Sequence, residues 1–158
     1  AAWQLNERHY GVLTGLNKLE MSKKMGAEKV HQFRRSWDIK PDPLNKESPY
    51  HPLNISTYKE ISKKVIPDTE SLKDTYERVI KYFEEEIKKN LINNNILISA
   101  HGNSIRAMCK YLFGLDNNEI SNLEIPTGNP LIIELNKELK IKSCEYLDKG
   151  RAKNLLVF

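Results

Sequence analysis

Asn95-Ile96-Leu97-Ile98-Ser99-Ala100-His101-Gly102-Asn103-Ser104-Ile105-Arg106-Ala107-Met108 is the stretch on which the fold turns. Its first half is a short apolar run carrying two isoleucines, which suits a strand buried on both faces of a parallel sheet. Its second half begins a helical pattern, in which Ile105, Met108, Cys109 and Leu112 recur on one face. Ser104 is placed to cap that helix, and Gly114 to close it in the left-handed region. His101 then falls at the carboxyl end of a strand, beside a helix N-terminus. In open α/β sheets that edge takes ligands, and the unpaired N–H groups of the helix favour anions, phosphate first among them.

Upstream, Pro67-Asp68-Thr69-Glu70-Ser71 offers several caps, and Leu72, Tyr76, Val79, Ile80, Phe83 and Ile87 share one stripe. The spacing predicts a helix that packs on the strand at Ile96, joined to it by the polar link Asn90 to Asn95. Downstream come a short acidic helix around Asn117 to Leu123, a loop from Ile125 to Pro130, and strands at Leu131 to Leu135 and Leu139 to Tyr146. Asn136-Lys137-Glu138 between those strands predicts a hairpin. A helix feeding a strand that feeds a helix is an α/β unit. The fold class expected is therefore α/β, a mostly parallel sheet with helices on both faces. A chain of 158 residues is read as a single domain, 1–158, ending in a mobile tail over 149–158.

Trp3 to Lys18 follows neither the strand nor the helix period. Glu7, Arg8, His9, Tyr10 and Lys18 crowd it with polar and ionisable groups, while Leu5, Tyr10, Val12, Leu13 and Leu16 give it anchors. An anchored loop so rich in titratable groups is a candidate active-site wall. Glu20 to Trp37 reads as two short helices parted near Gly26, with Val30, Phe33 and Trp37 facing inward. Arg34-Arg35 closes the second of them. The pair either complements the helix dipole or grips a phosphate or carboxylate with forked donors, and the residues alone leave both readings open. Lys40 to Pro67 carries five of the seven prolines and predicts a long surface loop, with a helical turn or two between Tyr58 and Val65.

Composition narrows the partners. The net charge is +4 and the pI near 8.9, but most of the cations are lysines interspersed among 21 acids, as on a solvated surface. No aromatic-studded basic stripe appears, which argues against nucleic acid. No apolar segment reaches the length of a membrane span, so no membrane partner is expected, and the chain reads as cytoplasmic. Cys109 and Cys144 lack metal-type spacing and are read as buried free thiols in a reducing compartment. Only six arginines are present, and Arg8, Arg34, Arg35 and Arg106 fall in three short stretches.

Those stretches carry a resemblance. Leu5-Asn6-Glu7-Arg8-His9-Tyr10-Gly11, with Leu16-Asn17-Lys18 after it, closely resembles the cofactor-dependent phosphoglycerate mutases of the histidine phosphatase superfamily. Phe33-Arg34-Arg35-Ser36, Thr69-Glu70-Ser71-Leu72, Ala100-His101-Gly102-Asn103-Ser104 with Arg106, and Ile125-Pro126-Thr127-Gly128 follow in the family's order across nearly the whole chain. The resemblance implies interconversion of 3-phosphoglycerate and 2-phosphoglycerate, a glycolytic step, through a phosphohistidine primed by 2,3-bisphosphoglycerate and without metal. It implies that Glu7 is the general acid/base and His101 the second active-site histidine. Tyr10, Lys18, Arg34, Arg35 and Asn103 match substrate-binding positions, with small phosphorylated three-carbon acids as ligands. Arg8 and His9 are left as structural or as supports behind the site residues. A homo-oligomer, dimer or tetramer, is implied as well.

Two main departures and one lesser one follow from the same resemblance. The family's nucleophile is the histidine of an Arg-His-Gly motif, and the four histidines here, His9, His31, His51 and His101, include none in that context. The expectation is that an amino-terminal part with the nucleophile is missing and that these residues alone turn over poorly. Ser48-Pro49-Tyr50-His51-Pro52 replaces an Arg-Tyr-Pro-Gly-like turn, and Asn129 stands where an aliphatic residue is common. The rival readings are a broad histidine-type phosphatase and a non-catalytic anion-binding or interaction fragment.

Overall fold

A computed structural model describes residues 1–152. The chain forms two compact units: Ala1–Trp3 with Arg8–Thr75, and Gln4–Glu7 with the chain from Tyr76 onward.

In the first unit, helix α1 (Lys18–Met25) starts at Asn17, whose side chain accepts from the backbone N–H of Leu19 and Glu20. Gly26, at φ 89°, ends α1 and starts α2 (Ala27–Arg35), which is the break expected there. A left-handed turn of this kind is open to glycine at little cost. The proline-rich segment is a loop as expected, with short 3₁₀ turns at Pro52–Asn54, Ser56–Tyr58 and Lys63–Val65. It is pinned from within. His51 is fully buried, its Nδ1 accepts from Leu53 N at 3.2 Å, and its Nε2 lies 3.1 Å from Asp68 Oδ1. Since Nδ1 accepts, the ring proton sits on Nε2 and points at the carboxylate.

Helix α3 (Leu72–Tyr82) opens on a reciprocal cap: Ser71 N–H donates to Asp74 Oδ2 at 2.8 Å, and Asp74 N–H donates to Ser71 Oγ at 3.1 Å. The expected stripe is real, and in the second unit Val79, Phe83 and Ile87 form a core with Ala107 and Met108. The helix is not uniform. Phe83–Ile87 widens into a π turn before α4 (Lys88–Leu91).

Helix α5 (Gly102–Phe113) buries Met108 and Cys109 and closes on Gly114 at φ 65°, as its spacing predicts. Its start differs from the sequence reading. The cap position is His101, with no side-chain capping bond, while the Ser104 hydroxyl lies 2.7 Å from Leu5 O and 2.8 Å from Asn6 O. Ser104 is thus spent on a neighbouring segment instead of on its own helix. Helix α6 (Asn117–Asn122) has a full capping box between Asp116 and Glu119.

Strands β1 (Leu131–Leu135) and β2 (Ile141–Tyr146) form the predicted antiparallel hairpin. Its far end is also fastened: Asn129 Nδ2 donates to Asp148 O, and Asp148 N–H donates to Asn129 Oδ1, both at 2.9 Å. The α/β class holds, but the parallel strand expected at Ile96 to Ala100 has no ladder among the described residues. A strand is a property of a pair. Ile96 and Ile98 pack on the core as predicted, whereas Leu97, expected to be buried, is 93% exposed. Both cysteines are free and buried. Burial, and secondarily Cys144, pushes the Cys109 thiol up to about 12, and burial raises that of Cys144. Of the tail expected to be mobile, Lys149–Arg151 forms a 3₁₀ turn with Arg151 donating to Thr127 O; residues 153–158 lie outside the described residues.

Candidate active site

Glu7 is held by its side chain and by its backbone. Asn103, in the first turn of α5, donates through Nδ2 to Glu7 Oε1 in a short hydrogen bond, and its backbone N–H approaches Oε2 at 3.4 Å. The N-terminal end of a helix favours a negative group of this kind. The backbone of this segment is answered by side chains. Arg78 donates to the carbonyls of Gln4 at 2.6 Å, Asn6 at 3.0 Å and Glu7 at 3.3 Å, while Ser104 answers Leu5 and Asn6. His101 is exposed at the N-cap of the same helix. The structure therefore brings Glu7 and Asn103 into contact, and sets His101 two residues before Asn103 at the anion-favouring helix end.

Tyr10, Lys18, Arg34 and Arg35 belong to the first unit. The loop that carries Tyr10 is tightly bound. His9 N–H donates to Glu70 Oε2 at 2.9 Å, Glu70 N–H donates back to His9 O at 2.8 Å, and Gly11 N–H donates to His9 Nδ1 at 3.1 Å. Gly11 has φ +54°, and a Cβ there would stand 2.1 Å from Asp42 O. Arg8, left as structural by the sequence, is 2% exposed and donates to Phe33 O in α2 at 2.6 Å.

Two cations lie over the Tyr10 ring, Arg8 at 4.6 Å and Arg34 at 5.4 Å from its centroid. Each is within cation–π range. Arg34 is exposed and Arg35 half-buried in the last turn of α2, where positive charge suits the dipole. Lys18 differs. It is the exposed first residue of α1, the end where a cation weakens a helix, so helix stability gives no reason for a lysine there.

His9 is resistant to protonation. Burial first, then His51, holds its pKa below the usual value, against the opposing pull of Glu70 and Asp68. The rings of His9 and His51 are 5.7 Å apart.

Sequence reasoning gave no site role to Glu70, Arg78 or Arg106, and read Ser104 only as a helix cap. Arg106 had a legible signal, being three residues after Asn103 on a helix and so on the same face. Glu70 stood in a stretch that carries the resemblance, though its partner did not show, and Arg78 had no signal, because its partners are distant in sequence. No group of three or more His, Cys, Asp or Glu gathers as metal ligands among the described residues. No helix among them is long and apolar enough to cross a membrane.

Residues 50–142 match the family described as "Histidine phosphatase superfamily (branch 1)". The chain belongs to this superfamily. The matched span contains His101 and Asn103, and individual superfamily relatives extend the likeness to the rest. The chain is 69% identical over 158 residues to the "2,3-bisphosphoglycerate-dependent phosphoglycerate mutase" of Pelagibacter ubique (strain HTCC1062), covering 99% of this chain and 66% of that protein. It is 50% identical over 154 residues to the protein of the same name from Hyphomonas neptunium (strain ATCC 15444), covering 97% and 64%. Identity to that of Hydrogenobaculum sp. (strain Y04AAS1) is 49% over 147 residues, covering 92% and 60%. The chain thus spans about two thirds, or somewhat less, of the superfamily members it matches.

Proposed function

We infer that these 158 residues supply the acid/base and substrate-binding groups of a phosphoglycerate mutase that interconverts 3-phosphoglycerate and 2-phosphoglycerate in glycolysis. The observation that carries the reading is the Glu7 carboxylate, oriented by Asn103 at the start of the helix whose N-cap position His101 occupies. The names of the relatives point the same way.

Phosphoryl transfer depends on positioning and charge stabilisation more than on covalent assistance. A substrate hydroxyl becomes a nucleophile toward phosphorus as its proton passes to Glu7, and Glu7 returns a proton to the oxygen that loses its phosphoryl group. His101, exposed beside helix N–H groups, is suited to stabilise the transferring group. Tyr10, Lys18, Arg34, Arg35 and Asn103 bind substrate. Their chemistry fits 2,3-bisphosphoglycerate too, since ammonium and guanidinium groups only donate and a phenol and a carboxamide donate readily to carboxylate and phosphate oxygens. That primer, when bound, supplies the phosphoryl group with which turnover begins. The phosphoryl-carrying histidine of an Arg-His-Gly motif is not among these residues. A cytoplasmic homo-oligomer belongs to the same reading.

Glu7→Gln in the complete gene product should lower kcat about 10²- to 10⁴-fold in a coupled mutase assay, with the thermal midpoint little changed. Hydrolysis of many phosphomonoesters by the unaltered protein, without mutase turnover, would transfer the assignment to a phosphatase.

A further inference from the structure

Arg106 is a buried cation that neither the acid/base nor the anion-binding assignment uses. It is 3% exposed, its Nη1 donates to Asn103 Oδ1 at 2.8 Å, and its Nη2 donates in a short hydrogen bond to Ile120 O, at the heart of α6. Burying a guanidinium is costly unless its bonds are well used, so its partners deserve a reason.

The chemistry of the partners supplies one. A guanidinium has donors only, whereas a carboxamide has one accepting end and one donating end. The end of Asn103 that meets Arg106 must therefore be the oxygen. The end that meets Glu7 must be the nitrogen, and the carboxylate accepts from it. The Glu7 carboxylate, an acceptor, already favours the nitrogen, and Arg106, a donor, holds the oxygen at the other end; loss of Arg106 leaves one partner alone to keep the amide from a half-turn that would set oxygen against oxygen at Glu7. Asn103 itself is 7% exposed, so water has little access to correct the choice. Ile120, fully buried, fixes the far side of the guanidinium and gives the relay a rigid footing.

We propose that Arg106 is a positioning residue that acts through Asn103, turning its amide nitrogen onto Glu7 and so fixing the direction in which the Glu7 carboxyl meets its reaction partner. This rests on the proposed proton-exchanging role of Glu7, but the relay has a readout of its own.

The first measurement is NMR of the Asn103 side-chain amide in Arg106→Met and Arg106→Lys; the lysine variant keeps the charge if the methionine variant does not fold. In either folded variant the two Nδ2 protons should shift and exchange with solvent faster than in the parent protein. An unchanged amide signal in a folded variant overturns the relay, whether or not the protein proves to be a mutase. The second measurement is a double-mutant cycle on mutase turnover in the complete gene product. Arg106→Met should lower kcat about 10- to 100-fold with KM little changed, the size of a small misplacement of a reacting group. Added to Asn103→Ala, it should cost almost nothing more, because groups that act as one unit are not additive. Losses that multiply would mean that Arg106 acts only by holding α5 to α6.

Discussion

Glu7 and Arg34 are both assigned to the chemistry of a phosphorylated acid, yet the structure treats them differently. Glu7 sits on a segment whose carbonyls are met by Arg78 and Ser104, and its carboxylate is met by Asn103. Arg34 reaches out from the end of α2, exposed, with a tyrosine ring against it. The difference suits the tasks proposed for them. Proton exchange needs a group aimed to within a fraction of an ångström, whereas gripping an anion needs charge, reach and some freedom to adapt. In the second case rigidity is moved back one step, into the loop that holds Tyr10.

That division can be broken at several points. Gly11→Ala attacks the bound loop that carries Tyr10. Its Cβ would meet a backbone oxygen at 2.1 Å in a left-handed conformation, so a loss of about 3–5 kcal/mol is expected in urea unfolding. A loss near zero would mean that the loop is no firmer than the side chains it carries. Arg78→Met attacks the aimed group. It removes three donated hydrogen bonds from carbonyls at 4, 6 and 7, and should lower stability by about 2–3 kcal/mol and kcat along with it.

His9 sharpens the comparison through pH. Its folded pKa is depressed, and its Nδ1 must stay unprotonated to accept from Gly11 N–H. The unfolded chain takes up this proton near pH 6.5 while the folded one resists. The contribution is thus complete above about pH 6.5 and is lost as pH falls toward the folded value. Urea midpoints measured from pH 7.5 to 5 should fall less steeply in His9→Gln than in the parent protein. Arg34→Ala sets the lower limit, with stability changed by less than about 0.5 kcal/mol and affinity for 3-phosphoglycerate, read by calorimetry, weakened about tenfold. Unaltered affinity would return Arg34 to a helix-end role alone.

Much of this was legible in the chain, wherever the signal was local. The stripe from Leu72 to Ile87, the break at Gly26, the stop at Gly114 and the hairpin about Asn136 are all encoded within a few residues of where they act. Glu7 and Asn103 came from a motif, and the structure joins them. The anchors were not legible. Arg78 serves carbonyls more than seventy positions away, and Ser104 had a better offer than its own helix. No periodicity records such bargains. The strand expected at Ile96 to Ala100 shows the opposite limit: Ile96 and Ile98 pack on the core, but Leu97 is exposed and no ladder forms among the described residues, since a ladder depends on a neighbour that no single stretch can specify.

The hairpin ends on a detail that concerns time more than shape. Ordinary two-stranded ribbons come apart from their loose ends inward. Here the paired exchange between Asn129 and Asp148, with Leu147 N–H donating to Pro130 O at 2.9 Å, stitches those ends shut. The ribbon has its open end fastened as firmly as its turn, which removes the usual starting point for unzipping. Its innermost and outermost amides should therefore surrender deuterium together.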